Sequence, residues 1–346
     1  MAILAHEHIL EALASGAVQL ATHGKIGAFS IDIPLGETLI HPRRRSMIPI
    51  PKKGLVITED DFYLWEFPSD LFLSAGHIGE VITRSTYARL GLWVEPSPSN
   101  DAFILQSDLS RSFRPVCSLR TSGTEVRIRP GESISQLVLK TSLSRCSTSE
   151  MRDLFDQGEL VMYEGDKRLS RADVTFHEGI ELLLDPIIYV YRKGSSLDPR
   201  QPAIDYDFEK IDLSRFPHGY YLAEGSFFIS SSVQKIATSN RYVSYFTPHR
   251  TTPTSSNRVT QSLHPGHTFF SLPFRTHPNA PYHVFGLHAL RQITFENYVT
   301  SPGGVRLFPR EKQAELMLVP LIGPSNYDQP SRYHEQRGAT LMRNEI

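Results

Sequence analysis

Short runs of alternating apolar and polar residues, rich in aromatic and β-branched side chains, dominate the chain. Because successive side chains of a β-strand point to opposite faces, this alternation is typical of half-buried strands. Gly, Pro, Asn or Asp separates the runs, which indicates turns between them. The pattern therefore predicts a mainly β fold with a few short helices. The clearest predicted strands are GAFSIDIPLG (27–36), DFYLWEF (61–67), GEVITRS (79–85), EVRIRPGESISQLVL (125–139), GSFFISSS (225–232), GHTFFSLPF (266–274) and RQITFENY (291–298).

The first residues follow a helical period instead. Apolar residues recur at helical spacing from Ile3 to Leu13, with His and Glu residues between them, and Gly16 follows. This predicts a short amphipathic helix rather than a signal peptide. The sequence contains no run of about 18 apolar residues, the length that a membrane-spanning helix needs. We therefore expect no membrane span.

Composition narrows the classes of function. The chain has 346 residues, 40% of them hydrophobic, which is enough for two domains with a buried core. Its formal net charge of -1 gives no general attraction to nucleic acid or to an anionic membrane, so small molecules or proteins are the expected partners. Two cysteines, Cys117 and Cys146, are too few for a disulfide framework, so a reducing, cytoplasmic location is expected.

A repeat of about 140 residues relates the two halves of the chain. Each half begins with a predicted helix and a glycine, and continues with an aspartate that precedes a β-branched residue. This order predicts two copies of one β fold in tandem. The matched stretches are 10–39 with 151–183, which aligns Gly16 with Gly158 and Asp32 with Asp173, then DFYLWEF with GYYLAEGSFF (219–228), and VRIRPGESISQLVL (126–139) with YHVFGLHALRQITF (282–295).

The stretch KTSLSRCSTSE (140–150) lies between the halves and has the composition of a linker. We therefore expect a first domain over 1–142, a second over 143–323 and a tail over 324–346. In the second half, PHRTTPTSSNRVTQSLHPG (248–266) has the Thr, Ser and Pro content of a long loop.

Four motifs, in order along the chain, resemble those of the dCTP deaminase family, which has the trimeric dUTPase-like β fold. The resemblance implies two tandem dUTPase-like β-barrel domains, assembly as a homotrimer, and hydrolytic deamination of dCTP to dUTP. The second repeat shows only the family's skeleton and lacks its Arg-Ser-Ser motif. The matching stretches are GAFSIDIPLG, RSTYARLGL (84–92), VRIRPGESISQLVL and SRYHEQRGATLMR (331–343).

The resemblance also implies roles for individual residues of the first repeat. Arg84, Ser85 and Arg89 match the family residues that hold phosphate and orient the attacking water. A guanidinium suits a triphosphate because it is always charged and donates hydrogen bonds in a fork. Asp108 matches the aspartate that binds the sugar hydroxyl, although Leu and Ser follow it in place of Pro and Gly. Gln136, in the family's Ile-x-Gln-Leu stretch, is expected to contact the substrate.

Three residues of the C-terminal tail match the family as well: Tyr327, Arg332 and Gln336. In the family this tail closes over the bound nucleotide, and its lysine, here Arg332, meets phosphate while its glutamine meets the base region. The resemblance therefore implies a lid. The residues alone are equally consistent with an ordinary polar terminus.

The family's general base is missing where the resemblance predicts it. The family carries a Glu ten residues after its sugar-binding Asp, and this count leads to Ser118. A serine hydroxyl is not a competent base at neutral pH, and loss of a positioned base costs about a hundred- to ten-thousand-fold in rate. In the second repeat, LHPGHTFFSLPFR (263–275) offers Ser271, Pro273 or Phe274 at this place, and none is acidic.

Three hypotheses follow. In the first, the protein is a deaminase in which another carboxylate, Glu95 or Glu125, acts as the base. In the second, it binds a nucleotide without turnover, as a sensor, regulator or scaffold. In the third, it performs different chemistry on a nucleotide-like ligand. The sequence leaves these three open.

No metal site is expected in any of these cases. The His/Cys-x-Glu and Pro-Cys-x-x-Cys signature of zinc deaminases is absent from the sequence, as is HExxH. We expect no tightly bound cofactor, with Mg²⁺ arriving only together with a nucleotide triphosphate.

Overall fold

The predicted mainly β fold is confirmed by a computed structural model of the chain. In the parts described, strands predominate, and there are three α-helices and two short 3-10 helices, Arg171–Asp173 and Leu213–Arg215. Among these residues, no helix has the length and apolar character needed to cross a membrane. The structure describes residues 2–27, 29–59, 61–96, 104–106, 112–121, 123–141, 145–201, 208–239, 241–248, 268–270, 291–299 and 303–323.

The chain divides into two compact units. Unit 1 consists of the described residues of Met1–Ser144, Gly194–Pro202 and Leu321–Asn326. Unit 2 consists of the described residues of Arg145–Lys193 and Ala203–Pro320. Unit 1 is therefore built from three separate stretches of sequence.

Unit 1 contains fifteen of the strands, numbered here along the whole chain, and two helices. The predicted N-terminal helix is confirmed as α1 (His6–Ala14), and a single helical turn, α2, covers Ser85–Ala88. The strands are β1 (Ile3–Leu4), β2 (Val18–Leu20), β3 (Ile31–Pro34), β4 (Thr38–His41), β5 (Ser46–Pro49), β6 (Leu55–Ile57), β7 (Tyr63–Glu66), β8 (Leu71–Leu73), β9 (Ile78–Thr83), β10 (Leu92–Pro96), β11 (Ile104–Gln106), β12 (Val116–Thr121), β13 (Thr124–Ile128), β14 (Ser133–Lys140) and β19 (Ser195–Leu197).

The strand β14 is central to the first sheet of unit 1. It pairs with β9 along one edge and with β3 and β1 along the other, and β11 extends the sheet beyond β9. A second sheet has the order β10-β12-β7-β4-β5, and a third has the order β19-β13-β6. The alternating pattern along these strands buries apolar side chains such as Ile33, Leu39 and Trp65 in the interior.

Unit 2 contains one α-helix, α3 (Thr148–Asp156), which begins at a capping box. The Ser147 hydroxyl accepts from the Glu150 N–H, and the Glu150 carboxylate accepts from the Ser147 N–H, so two otherwise unpaired donors are satisfied. The strands are β15 (Leu160–Glu164), β16 (Lys167–Arg168), β17 (Ile180–Leu183), β18 (Ile187–Tyr191), β20 (Phe208–Asp212), β21 (Tyr220–Leu222), β22 (Phe227–Thr238), β23 (Tyr242–Pro248), β24 (Thr268–Phe270), β25 (Arg291–Tyr298), β26 (Val305–Leu307) and β27 (Lys312–Ile322), whose last two residues belong to unit 1.

Two groups of strands organise unit 2. The long strand β22 pairs with β15, β18 and β25, and β16 and β20 extend that sheet. Within unit 2, β27 pairs with β17 and β23, and β23 also pairs with β24. Apolar residues from α3, β15, β17, β25 and β27 form one core, which includes Met151, Leu160, Phe295 and Leu316.

Each unit contains a hairpin of the same kind, and the comparison of the two halves of the sequence matched these hairpins wrongly. In unit 1, Gly131 lies in the turn between β13 and β14 with φ +78°. In unit 2, Arg310 lies in the turn between β26 and β27 with φ +66°. VRIRPGESISQLVL therefore corresponds to residues 305–318, not to 282–295. The comparison missed this because a glycine occupies the left-handed position in one repeat and an arginine in the other.

The strand registers also correct the aspartate alignment. In unit 1, Asp32 of β3 lies opposite Gln136 of β14. In unit 2, Glu181 of β17 lies opposite Glu315 of β27. Asp173, which the sequence comparison aligned with Asp32, instead lies in a 3-10 helix. The counterpart of Asp32 is thus Glu181.

Substitution of Gly131 tests the need for a left-handed residue in the unit 1 hairpin. A Cβ at Gly131 meets no atom within 4 Å, so the cost of alanine comes from the backbone conformation alone. We expect Gly131→Ala to lower the free energy of unfolding by about 1 kcal/mol, measured by urea denaturation. Gly36→Ala is the matched control, because Gly36 also has open space around it but no positive φ. Equal effects of the two substitutions would contradict this explanation.

Candidate functional site

The motif RSTYARLGL forms a single helical turn between two strands. Strand β9 ends at Thr83, and Arg84 has an extended backbone and precedes α2. The Arg84 N–H donates to the Ile134 carbonyl at 2.9 Å, which ties the beginning of the turn to β14. Gly91, with φ +84°, then leads into β10. The motif is thus a connection anchored to the central strand of the first sheet.

Asp32 brings two of the predicted site residues together. The Gln136 side-chain amide donates to Asp32 Oδ1 at 2.8 Å, and Arg84 Nη1 lies 3.3 Å from Asp32 Oδ2. The Asp32 side chain is 10% exposed, whereas that of Arg84 is 41% exposed. A nearly buried carboxylate therefore orients a guanidinium that still reaches solvent. Because a guanidinium has five N–H donors, Arg84 can hold Asp32 and an anionic ligand at the same time.

The other two residues of the motif differ in accessibility. Ser85 is half-buried and is the first residue of α2. Arg89 is completely buried at the end of α2, and its N–H donates to the Ser85 carbonyl at 3.1 Å. In this arrangement a phosphate from solvent can approach Arg84 and Ser85, but not the Arg89 side chain. The sequence does not predict this difference in exposure, because the two arginines of the motif have identical side chains.

Ser118 lies in the interior of unit 1, on β12, and is 3% exposed. The register places it opposite Leu64 of β7 and opposite Glu95 of β10. Glu125, the other carboxylate considered as a substitute base, lies on β13 in a different sheet, opposite Ser196. Of the two, Glu95 is thus the one whose backbone adjoins Ser118.

Unit 2 carries a buried carboxylate at the place that Ser118 takes in unit 1. Strand β25 pairs with β22 so that Glu296 lies opposite Ile229, as Ser118 lies opposite Leu64. Glu296 is 3% exposed. The prediction that unit 2 has no acidic residue here is therefore wrong. It rested on residues 271–274, which lie outside the described residues.

Two signals in the sequence could have identified Glu296. It ends the run Ile-Thr-Phe-Glu, a predicted strand that contains an acidic residue. It also precedes the hairpin of residues 305–318, as Ser118 precedes the corresponding hairpin of unit 1. The tandem alignment hides both signals, because it matches this strand to β14.

Buried hydroxyl groups accompany Glu296 on the same face of the sheet. Thr294 is two residues before Glu296 on β25, so both side chains point to one face, and Ser231 of β22 lies opposite Thr294. Both hydroxyl-bearing residues are almost fully buried, and neither hydroxyl has a hydrogen-bond partner among the residues that the structure describes. Buried polar groups are normally paired, so these two hydroxyls retain unused hydrogen-bonding capacity.

Side chains on the opposite face of β25 hold this strand in place through hydrogen bonds. The Asn297 side-chain amide donates to Ser230 Oγ at 2.9 Å and to the Phe295 carbonyl at 3.1 Å. Gln313 of β27 also donates to Ser230 and to Asn297 Oδ1. These bonds are buried and join β22, β25 and β27. The backbone that carries Glu296 is therefore held on one side by a network of amides and a hydroxyl.

The two cysteines are excluded as nucleophiles. Both are buried free thiols. Burial raises the pKa of the Cys117 thiol well above its usual range, and it raises the pKa of Cys146 to about 12. Because the thiolate is the nucleophilic form, neither residue is reactive near neutral pH.

Several other predictions concern residues that cannot be placed. Asp108, Tyr327, Arg332 and Gln336 lie outside the described residues, so their predicted contacts with sugar, phosphate and base stay predictions. Where the chain is described, no group of three or more His, Cys, Asp or Glu side chains is arranged to hold a metal ion.

Comparisons with known proteins match the first part of the chain to a family model and the fold of the chain to a solved structure. The model of the dCTP deaminase-like family matches residues 3–142. No curated protein matches the sequence. Among solved structures, 2'-deoxycytidine 5'-triphosphate deaminase from Agrobacterium tumefaciens is similar, with a TM-score of 0.72, 16% sequence identity, and coverage of 94% of this chain and 99% of that chain. Residues 3–142 therefore form a dCTP deaminase-like domain, within a chain that has the fold of that deaminase.

Proposed function

We propose that the protein binds a pyrimidine deoxynucleoside triphosphate and deaminates dCTP to dUTP by hydrolysis. The observation that carries the proposal is the cluster of Asp32, Arg84 and Gln136 in the dCTP deaminase-like domain. It presents a partly exposed guanidinium whose direction a nearly buried carboxylate fixes. Such a preoriented cation binds phosphate at a lower entropic cost than a mobile surface arginine.

Nucleotide binding uses the groups around α2 in this proposal. Arg84 donates to the phosphates, and the half-buried Ser85 hydroxyl donates to a phosphate or to the attacking water. Arg89 supports the turn from inside unit 1, since its side chain is completely buried. Asp108 binds the sugar, and Tyr327, Arg332 and Gln336 close over the ligand.

Deamination needs a group that moves a proton. Water adds to C4 of the cytosine ring, the base takes a proton from that water, and the proton then passes to the leaving amino group, which departs as ammonia. We propose Glu95 as this base, because its backbone on β10 lies opposite Ser118 within unit 1, and Ser118 takes the place of the family's glutamate.

Binding without turnover is the second candidate function. It is favoured by Ser118 itself, because the dCTP deaminase-like domain carries a hydroxyl where the family carries its base. In that case the protein acts as a nucleotide sensor, regulator or scaffold. The third hypothesis, different chemistry on a nucleotide-like ligand, shares the same phosphate contacts and differs only in the product.

The setting of the reaction is part of the proposal. We propose a cytoplasmic homotrimer, since the family that the domain resembles builds its sites between subunits. The nucleotide brings Mg²⁺ with it, and no cofactor is tightly bound. Neither a membrane nor nucleic acid is needed as a partner, in keeping with the formal net charge of -1.

Replacement of Arg84 tests the phosphate contact. We expect Arg84→Ala to raise the Kd for dCTP with Mg²⁺ by about ten- to a hundred-fold, because a hydrogen bond to a charged group is worth about 1.5–3 kcal/mol. Isothermal titration calorimetry measures this. Arg114→Ala is the control, since Arg114 is an exposed arginine of unit 1 that pairs with Asp70 at 2.9 Å. Equal affinity of Arg84→Ala and the wild type would contradict the contact.

Replacement of Glu95 tests the base and separates enzyme from binder. We expect Glu95→Gln to slow formation of dUTP from dCTP by at least about a hundred-fold, with dCTP affinity preserved. Chromatography of the nucleotides after incubation measures the rate, and thermal unfolding shows whether the variant is folded. Glu164→Gln is the control, because Glu164 of unit 2 forms an ion pair with Arg310 near the surface.

The outcomes are distinct. Full activity of Glu95→Gln would contradict the assignment of the base. A wild-type protein that binds dCTP but releases no dUTP, dUMP or other product would establish the binder instead.

A further inference from the structure

The segment Gly194–Pro202 is far from the Arg-Ser motif in sequence, yet its described residues belong to unit 1. Its strand β19 pairs in parallel with β13, with Thr124 opposite Ser195 and Val126 opposite Leu197. Leu197 is buried. The segment therefore completes the third sheet of unit 1 rather than lying loosely on its surface.

Asp198, directly after β19, holds two arginines of the neighbouring hairpin. Its carboxylate accepts from both terminal nitrogens of Arg129, at 2.9 Å for the Nη1–Oδ1 pair, and its Oδ2 lies 3.7 Å from Arg127 Nε. The Asp198 and Arg129 side chains are mostly buried. The Arg129 fork lowers the pKa of Asp198, so the carboxylate is charged near neutral pH. This is the bidentate geometry in which Arg–carboxylate pairs are strongest.

The contacts continue from this pair to α2. The Arg129 guanidinium, which Asp198 holds, also donates through Nη1 to Glu132 Oε1 at 3.4 Å, and the Arg129 backbone N–H donates to Glu132 Oε2 at 2.9 Å. Arg200 Nε donates to Glu132 Oε1 at 2.8 Å. The Tyr87 hydroxyl, on α2, donates to Glu132 Oε2 at 2.8 Å. Burial raises the pKa of Tyr87, so its hydroxyl stays protonated and remains a donor. One continuous set of charged hydrogen bonds thus joins Asp198 to α2.

Helix α2 depends on such contacts because it has only four residues. A single helical turn is unstable by itself, since nucleation fixes several residues for one hydrogen bond. Its position must come from tertiary anchors, and Tyr87 is one of them. Any group that orients Glu132 therefore also orients the turn that carries Arg84 and Ser85.

We propose that Asp198 is a positioning residue, which acts through Arg129, Glu132 and Tyr87 to hold α2 and its flanking arginines in the geometry that binds a nucleotide. Arg200 assists by holding the second oxygen of Glu132. This role rests on the proposed function of the Arg84 cluster. It also explains why a stretch located in the second half of the sequence is incorporated into unit 1.

The test compares Asp198→Asn with the wild type by two measurements. Without nucleotide, we expect hydrogen exchange of the α2 backbone amides, including that of Arg89, to become about ten-fold faster, as loss of a charged hydrogen bond implies. With nucleotide, we expect the Kd for dCTP with Mg²⁺ to rise about ten-fold. Tyr87→Phe, which removes only the hydroxyl, should give the same two changes.

Two comparisons separate positioning from a general loss of stability. Asp70→Asn breaks the exposed ion pair with Arg114 in the same unit and should change neither measurement. The double variant Asp198→Asn/Tyr87→Phe should exchange no faster than the faster single variant, since both act on one pathway. Wild-type exchange of α2 in Asp198→Asn, or a lower unfolding temperature as its only change, would overturn the proposal.

The exchange measurement also keeps the two proposals distinguishable. If the wild type bound no nucleotide, the proposed function would fail. Faster exchange confined to α2 in Asp198→Asn would even then support the positioning of α2 by Asp198.

Discussion

The carboxylate of Asp32 is the contact on which the candidate site of unit 1 depends. It lies on β3, accepts from Gln136 on β14, and pairs with Arg84 at the end of β9, so it joins three neighbouring chain segments. The register sets this arrangement, because a shift of one residue would turn Asp32 to the other face. The strands therefore determine the direction of the Arg84 guanidinium, and the contact of Tyr87 with Glu132 holds the one-turn helix α2 that follows.

Unit 2 uses the same framework with different chemistry. Glu181 and Glu315 take the register positions of Asp32 and Gln136, and Lys312 lies 2.6 Å from Glu181. An amide that could donate to the carboxylate has thus been replaced by a second acid, and a lysine supplies the compensating charge. Unit 2 has, in turn, a buried Glu296 where unit 1 has Ser118. Among the residues that the structure describes, the carboxylate–guanidinium–amide cluster thus lies in unit 1, and the buried acid at the position of Ser118 lies in unit 2.

The sequence predicted what depends on local pattern. Alternation predicted the strands, and the resemblance assigned both RSTYARLGL and Gln136 to the substrate site. Features set by long-range contacts escaped prediction. The burial of Arg89 depends on the packing around α2, and the pairing of β19 with β13 joins residues about 70 positions apart, which no local period reveals. The equivalence of Gly131 and Arg310 was hidden because φ is a property of the backbone, whereas the comparison used residue types.

The arrangement around α2 also bears on whether loss of the base in unit 1 implies loss of the site. A buried ion pair such as that of Asp198 and Arg129 is often no more stabilising than apolar residues of similar size. Stability alone therefore does not require these buried charges. What such a network provides is a defined geometry, here that of the turn bearing Arg84. Unit 1 thus contains a costly means of orienting Arg84, the residue proposed to bind phosphate, although Ser118 lies where the resemblance places the base. This combination supports the proposed ligand binding by unit 1, whether or not deamination follows.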